Sequence, residues 1–373
     1  MGSATISCHP PTNFIKTMSV PHTMSRESRL FGETTLFRHT EPAEYGDVLR
    51  GVFRNSGTVI IKPNWVSNEE GAFTTVESLR GVIEALPGKV IVVEAHQTAR
   101  VLGDPDLPRF EVNGVEVDWT WFRGQGWLWL KSHPNWGWFR NQGMLQLLRK
   151  ADRRFIERFG FADLFRETGT EYLNITEEVW GGRFVDPIII KGRVESRFPP
   201  AFTDALYGIV PERLYRLKGA TLVSLTRLKE YASFTLKNLF GLIPDPNRSW
   251  WHGAGDKRLH QSVMGATEVY ASLFNLYGVW EYGGRTRLRN NEGKLGGPDF
   301  RYDLVEGRGI LAHSPNLVEL DAILGRLNGF EVKEMPHIVL AEGVFGSPDN
   351  RLPELAVKDV GEWFRPSRSA LGL

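Results

Sequence analysis

The sequence predicts an α/β protein: a mostly parallel or mixed sheet flanked by helices, with a tryptophan-rich insertion. Three stretches carry that expectation. Thr58-Val59-Ile60-Ile61 is a β-branched run of strand type, Thr74 to Leu86 sets apolar residues at 76, 79, 82, 83 and 86 behind a threonine cap, and Lys89-Val90-Ile91-Val92-Val93 is a second apolar run. A strand–helix–strand unit of this length joins parallel neighbours, because antiparallel strands need only a tight turn between them.

Residues 1–30 are rich in Ser, Thr, Pro and Met and are expected to form a disordered tail. The first strand stops at Lys62-Pro63-Asn64, since proline cannot donate to a ladder, Pro87-Gly88 closes the helix, and the second strand runs into Glu94-Ala95-His96. Both strands therefore deliver polar residues at their carboxyl ends, the edge where open α/β sheets bind ligands. Residues 105–204 are the insertion. Half of the twelve tryptophans lie between Trp119 and Trp138, expected to fill a satellite core, with a lid or partner surface as the alternative; residues 144–166 make a basic amphipathic helix. Further strands are expected at Pro187 to Ile190 and Ala220 to Leu225, a helix at 259–277, and a glycine-rich basic loop from Gly283 to Pro298. A strand at Gly309 to Ala312 and a helix at Asn316 to Leu327 complete an α/β domain made of residues 31–104 and 205–350. Residues 351–373 are expected to be a plain C-terminal tail.

Forty-five lysines and arginines against 44 aspartates and glutamates leave no global positive field, which argues against nucleic acid as a partner. The single cysteine, Cys8, removes disulfide frameworks, cysteine-rich zinc sites and iron–sulfur clusters together. The N-terminal residues lack the apolar run of a signal peptide, and no window of about 18 apolar residues is present to span a bilayer. The expected setting is the cytoplasm, without a membrane partner.

Polar chemistry concentrates between Arg227 and His252. Arg227, Lys229, Lys237, Asn238, Arg248 and His252 fall in a stretch that Gly241, Pro244, Pro246 and Gly253 break into turns. Lys229 and Lys237 are expected to converge with Lys62 on one anion, holding a carboxylate, phosphate or sulfate by charge-assisted hydrogen bonds. Crowded cations lower one another's proton affinity, which suits a lysine to act as a base. His252 has the ordinary pKa of a general acid or base; beside Trp250 and Trp251 it is equally a packed ring. Glu94 and His96, two apart at a strand end, suit a carboxylate–imidazole pair or, with Asp321, ligands of a divalent cation. Arg285 adds a cation in the glycine-rich loop. The P-loop, Gly-x-Gly-x-x-Gly, His-Glu-x-x-His and Gly-x-Ser-x-Gly patterns are all absent from the sequence.

The ordered motifs Val59-Ile60-Ile61-Lys62-Pro63-Asn64, Thr74-Thr75, Val93-Glu94-Ala95-His96, Leu228-Lys229, Thr235-Leu236-Lys237-Asn238-Leu239-Phe240-Gly241-Leu242-Ile243-Pro244 and Trp251-His252-Gly253 resemble the family catalogued as domain of unknown function 362. The likeness covers residues 34–104 and 205–350, and it implies site positions at Lys62, Asn64, Glu94, Lys229, Lys237, Asn238, His252 and Asp321. Glu230-Tyr231 stands where the family carries a histidine, and the ferredoxin-like module of many members has no counterpart in a one-cysteine chain. The function expected is that of a cofactor-independent biosynthetic enzyme on an anionic small molecule, working by elimination or intramolecular cyclisation with loss of an anionic leaving group. Lys237, His252, Glu94 and Lys229 are the candidate catalytic residues, and Lys62, Asn64, Arg227, Asn238, Arg248 and Arg285 the substrate-binding ones. The alternatives are a non-catalytic accessory subunit that holds a ligand for a protein or carrier partner, as monomer or oligomer, and a divalent-metal enzyme using Glu94, His96 and Asp321.

Overall fold

The strand and helix signals of residues 58–94 are realised in a computed structural model that describes residues 26–66, 68, 71–97, 100–101, 107, 111–112, 115–116, 144–228, 234–245, 247–253, 256–287, 302–305, 307–346, 349 and 351–364. Nine strands form one mixed sheet: β1 (Glu27–Phe31), β2 (Thr34–Arg38), β3 (Thr58–Pro63), β4 (Lys89–Glu94), β5 (Glu171–Asn174), β6 (Thr221–Leu228), β7 (Asn275–Arg287), β8 (Tyr302–Val305) and β9 (Leu311–Ser314). Their spatial order is β1-β2-β9-β7-β6-β3-β4-β5, with β8 paired to β7. The run β7-β6-β3-β4-β5 is parallel throughout, whereas β9, β2 and β1 extend it in antiparallel fashion.

The chain lays down β3, β4 and β5 outward in one direction, then returns to place β6 and β7 on the other side of β3. The order therefore reverses between β3 and β6, and a crevice opens at the carboxyl ends of strands on either side of such a reversal. Register sets Lys62 beside Ser224, Pro63 beside Leu225, and Glu94 beside Asn174 at that edge.

The helices are α1 (Tyr45–Leu49), α2 (Val76–Glu84), α3 (Met144–Arg158), α4 (Phe161–Thr168), α5 (Ile175–Trp180), α6 (Pro187–Glu195), α7 (Glu212–Tyr215), α8 (Thr235–Leu239), α9 (Asn247–Gly253), α10 (Asp256–Ala271), α11 (Leu317–Leu327), α12 (Pro336–Phe345) and α13 (Arg351–Phe364). Alternation along the strands sorts the core into two layers. Val59, Ile61, Val92 and Val223 pack with Leu49, Leu79, Val82, Phe161 and Leu164 on one face; Ile60, Ile91, Val93 and Leu222 pack with Val263, Leu320, Ile323, Ile338 and Val360 on the other. No helix among the described residues is long and apolar enough to cross a membrane.

Several expectations change. Residues 27–30, expected in the N-terminal tail, belong to β1, and the helix expected at 259–277 is Asp256–Ala271, with Asn275 to Tyr277 opening β7. Pro187 to Ile190 is the start of helix α6, because Asp186 caps the Ile188 amide and proline occupies the first turn, where no donor is needed. The basic helix expected over 144–166 is two helices, divided at Gly160 with φ 77°. Strand β5 lies in the stretch read as an insertion yet pairs with β4, and the Gly283-Gly284 region continues strand β7 as far as Arg287. The stretch read as a C-terminal tail begins with helix α13, which packs on α11 and buries Ala356, Val360, Trp363 and Phe364. Trp119 to Trp138 lie outside the described residues.

Candidate functional site

At the carboxyl edge the end of β3 points Lys62 into a dry environment. Its ammonium donates to Pro63 O at 2.7 Å, Glu94 Oε2 at 2.9 Å and Asn238 Oδ1 at 3.3 Å, so all three of its donors are engaged. Lys62 is 1% exposed and Glu94 0%. Burial pushes the lysine pKa down and the Glu94 carboxylate opposes that shift. The second Glu94 oxygen accepts from the Ala95 amide at 3.0 Å. Asn238, on α8, donates to Lys62 O at 2.9 Å and Ser224 Oγ at 3.1 Å, tying β3 to β6 across the reversal point. The 3₁₀ turn Phe240–Leu242 closes over the pair. A Cβ at Gly241 would stand 2.8 Å from Lys62 Nζ and 3.3 Å from Glu94 Oε1, so only glycine allows this approach.

Two further networks flank the pair. Arg227, near the end of β6, donates to Gly283 O and Phe73 O, each at 3.1 Å, and its Nε lies 3.2 Å from Glu281 Oε1. The other Glu281 oxygen accepts from Tyr45 at 2.9 Å and Ser78 at 2.5 Å. On the opposite side Arg248 pairs with Asp245 and donates to His96 O at 2.7 Å. The buried His96 ring sits with Nδ1 3.0 Å from the Asn174 amide nitrogen and 3.7 Å from Asp152, and Nε2 3.2 Å from Glu177 Oε1. With Asn174 donating to Nδ1, the neutral ring donates from Nε2 to Glu177; protonation adds a second N–H, facing Asp152. Burial disfavours that charge, but hydrogen bonds and attraction from Asp152 and Glu177 outweigh it and raise the His96 pKa. Asp152 also pairs with the fully buried Arg100, whose guanidinium lies 4.0 Å from the centre of the Phe155 ring, and accepts from Tyr172 at 2.8 Å.

Three of the cations singled out in the sequence are charge-compensated. Lys62, Arg227 and Arg248 each face a carboxylate, from Glu94, Glu281 and Asp245 respectively. Asn64, buried, donates its backbone N–H to Thr74 Oγ1 at 3.0 Å and accepts from the Thr74 amide at its own carbonyl at 2.8 Å. Asp321 is no metal ligand in company with Glu94 and His96: it accepts from Thr235 N at 2.9 Å, Thr235 Oγ1 at 2.6 Å and Leu236 N at 2.9 Å, closing the amino end of α8. Strand β4 ends at Glu94, and beyond it Glu94 meets Lys62 whereas His96 meets Asn174 and Glu177. Among the described residues no three His, Cys, Asp or Glu side chains group as metal ligands. Lys237 stands on α8 with its charge acting on His337 of α12, and His252 lies on α9 with its ring 6.3 Å from that of Phe240. Lys229 and the Arg285 side chain fall outside the described residues.

Sequence reading missed Asp152, Asn174, Glu177 and Glu281, whose importance comes from spatial neighbours; Asp245 was legible as the carboxylate three residues before Arg248. A cavity of about 490 Å³ opens at the other edge of the sheet, lined by Thr58, Thr221, Asn275 and their neighbours. Lys218 is its one ionisable lining residue, so it has the room but not the acid–base groups of the carboxyl edge. No protein-family model matches the chain, and no match is found among curated proteins or solved structures.

Proposed function

We propose that the chain is an enzyme acting on a small anionic metabolite at the carboxyl edge between β3 and β6, by elimination or intramolecular cyclisation. The Lys62–Glu94 pair is the observation that supports this reading: an ion pair excluded from water, beside the sheet's reversal point. Such a pair adds little to stability over apolar packing of the same volume, so its placement calls for another role. Transfer of the Lys62 proton to Glu94 leaves a neutral amine and a neutral acid. The amine takes a proton from the substrate, the electron pair released forms the new bond, and the anionic group departs with its own pair. The turn carrying Gly241 has to open for substrate to reach Nζ. The resemblance to the domain of unknown function 362 supports the location while naming no reaction.

The test is incubation of purified protein with pools of phosphate-, sulfate- and carboxylate-bearing metabolites, following substrate loss and anion release by mass spectrometry. Lys62→Met and Glu94→Gln are each expected to lower turnover by roughly 100-fold or more. Turnover that survives both changes would remove the pair from the mechanism. A second reading, a non-catalytic subunit that holds a ligand for a partner, is favoured by the compensation of Lys62, Arg227 and Arg248. Ligand retention without turnover would support it instead.

A further inference from the structure

Helix α3 has a basic outer face that the Lys62–Glu94 reading leaves unused. Its apolar stripe is buried in the core, where Met144, Leu145 and Leu148 join one layer and Phe155 and Ile156 the other. Between the two sets, Asp152 accepts from Tyr172 of β5 at 2.8 Å and lies 3.7 Å from His96, just past the end of β4. The helix therefore passes from one face of the sheet to the other across the carboxyl edge of β4 and β5. Lys150, Arg153, Glu157 and Arg158 stand exposed on its outer side, and no exposed residue of α3 is apolar. Among the described residues Lys150, Arg153 and Arg158 meet no carboxylate; Arg158 lies 5.2 Å from the centre of the Phe159 ring, which holds it without neutralising it. Arg149 is paired with Glu177, and Arg154 has a contact of its own. On the neighbouring surface Arg80, Arg166 and Arg213 each meet a carboxylate. Nowhere else among the described residues do three cations without a carboxylate share one helix.

We propose that the outer face of α3 docks the acidic surface of a partner protein, with Lys150, Arg153 and Arg158 as the attracting groups and Glu157 setting the register. Carboxylates laid against the three cations form charge-assisted hydrogen bonds that the chain itself does not make there. Glu157 decides what kind of anion fits. A phosphate backbone or an anionic bilayer presents negative charge at every position and meets Glu157 with repulsion, whereas a protein surface can set one lysine or arginine opposite it. A bilayer also takes up apolar side chains at the lipid boundary, and those of α3 are in the core. The fifteen residues of the helix make a ledge about 22 Å long, room for an acidic helix of similar length. Exposed charges are screened beyond about 10 Å at 0.1 M salt, so docking here is rapid, reversible and weakened by salt. A partner on this ledge stands at the edge to which β4 delivers Glu94.

The experiment titrates the full chain into two labelled helical peptides, one with glutamates along one face and one with a single lysine set among those glutamates, read by fluorescence anisotropy in low and high salt. Saturable binding that favours the lysine-bearing peptide and weakens roughly 10-fold or more in high salt is expected. Joint replacement of Lys150, Arg153 and Arg158 by glutamine should weaken it by roughly 10-fold or more, and Glu157→Lys should reverse the preference between the peptides. Joint replacement of Arg50, Arg54 and Lys358 by glutamine, exposed cations elsewhere on the surface, should leave binding unchanged. All the replaced side chains are exposed, and urea midpoints of the variants check that they fold. Failure of both peptides to saturate, or equal weakening by the two sets of replacements, would overturn the docking face. So would binding to phosphatidylserine vesicles or single-stranded RNA, through the same three cations, as tight as that to the peptides. None of these outcomes involves turnover, so they are separate from the fate of the Lys62–Glu94 reading.

Discussion

Lys62 and Glu94 exclude water from an ion pair, and breaking that pair has a one-sided consequence. Lys62→Met leaves a buried carboxylate that, among the described residues, accepts only from the Ala95 amide, so a loss of roughly 3–5 kcal/mol is expected in urea unfolding. The double variant Lys62→Met, Glu94→Gln should recover much of it, because no unpaired charge remains. Equal instability in the double variant would show that packing, and not charge, holds the pair. Lys62 and Glu94 were both legible in the sequence as polar residues at strand ends. Their pairing, across 32 residues, was not.

Helix α2 shows how much an element can declare of itself. Thr75 precedes the apolar periodicity and its hydroxyl accepts the Ser78 amide at 3.2 Å, as a cap should. Thr75→Ala is expected to cost about 1 kcal/mol in chemical denaturation, and a change below a few tenths would mean that tertiary packing alone fixes the helix start. Helix α6 shows the opposite case. Its three isoleucines suggest a buried strand, yet Ile188 and Ile189 are 76% and 52% exposed and only Ile190 and Val194, four apart, face the core. The Asp186-Pro187 start was the local signal that outweighed the β-branched run.

Titration belongs to the molecule as a whole. His313 and His337 are held down to about 4 and about 3 by burial, with Lys237 and His260 adding to the effect at His337; Glu177 is lowered to about 2 as hydrogen bonds from His96 and Arg149 overcome its desolvation. Burial raises Asp321 and Glu268 to about 7, in Asp321 against three hydrogen bonds. The histidines contribute stability that is complete above 6.5 and lost as the pH falls through 4 and 3, and Glu177 contributes stability present above 4.5 and lost toward 2. Asp321 and Glu268 act in the other sense, their contribution disappearing as the pH rises through 7, and His96, raised above its ordinary value, adds to that loss. Between the ordinary carboxylate and histidine values the two buried histidines and two buried acids offset one another. Urea midpoints should therefore be flat across that interval, fall in acid, and fall again through pH 7, with the neutral-side fall reduced in Glu268→Gln. A midpoint that rises through pH 7 would contradict this balance.

The sequence by itself determined the α/β class, the central strand–helix–strand unit and the delivery of Lys62 and Glu94 to one edge of the sheet, because hydrophobic period and caps act over a few residues. Only the tertiary structure decided that β6 returns beside β3, which creates the reversal point, and that Arg227, Arg248 and Lys62 are compensated. The run from Arg227 to His252 looked cationic because charge was counted along the chain. Electrostatic partners are chosen through space, and two of the three carboxylates, Glu94 and Glu281, are carried to their cations by strand order.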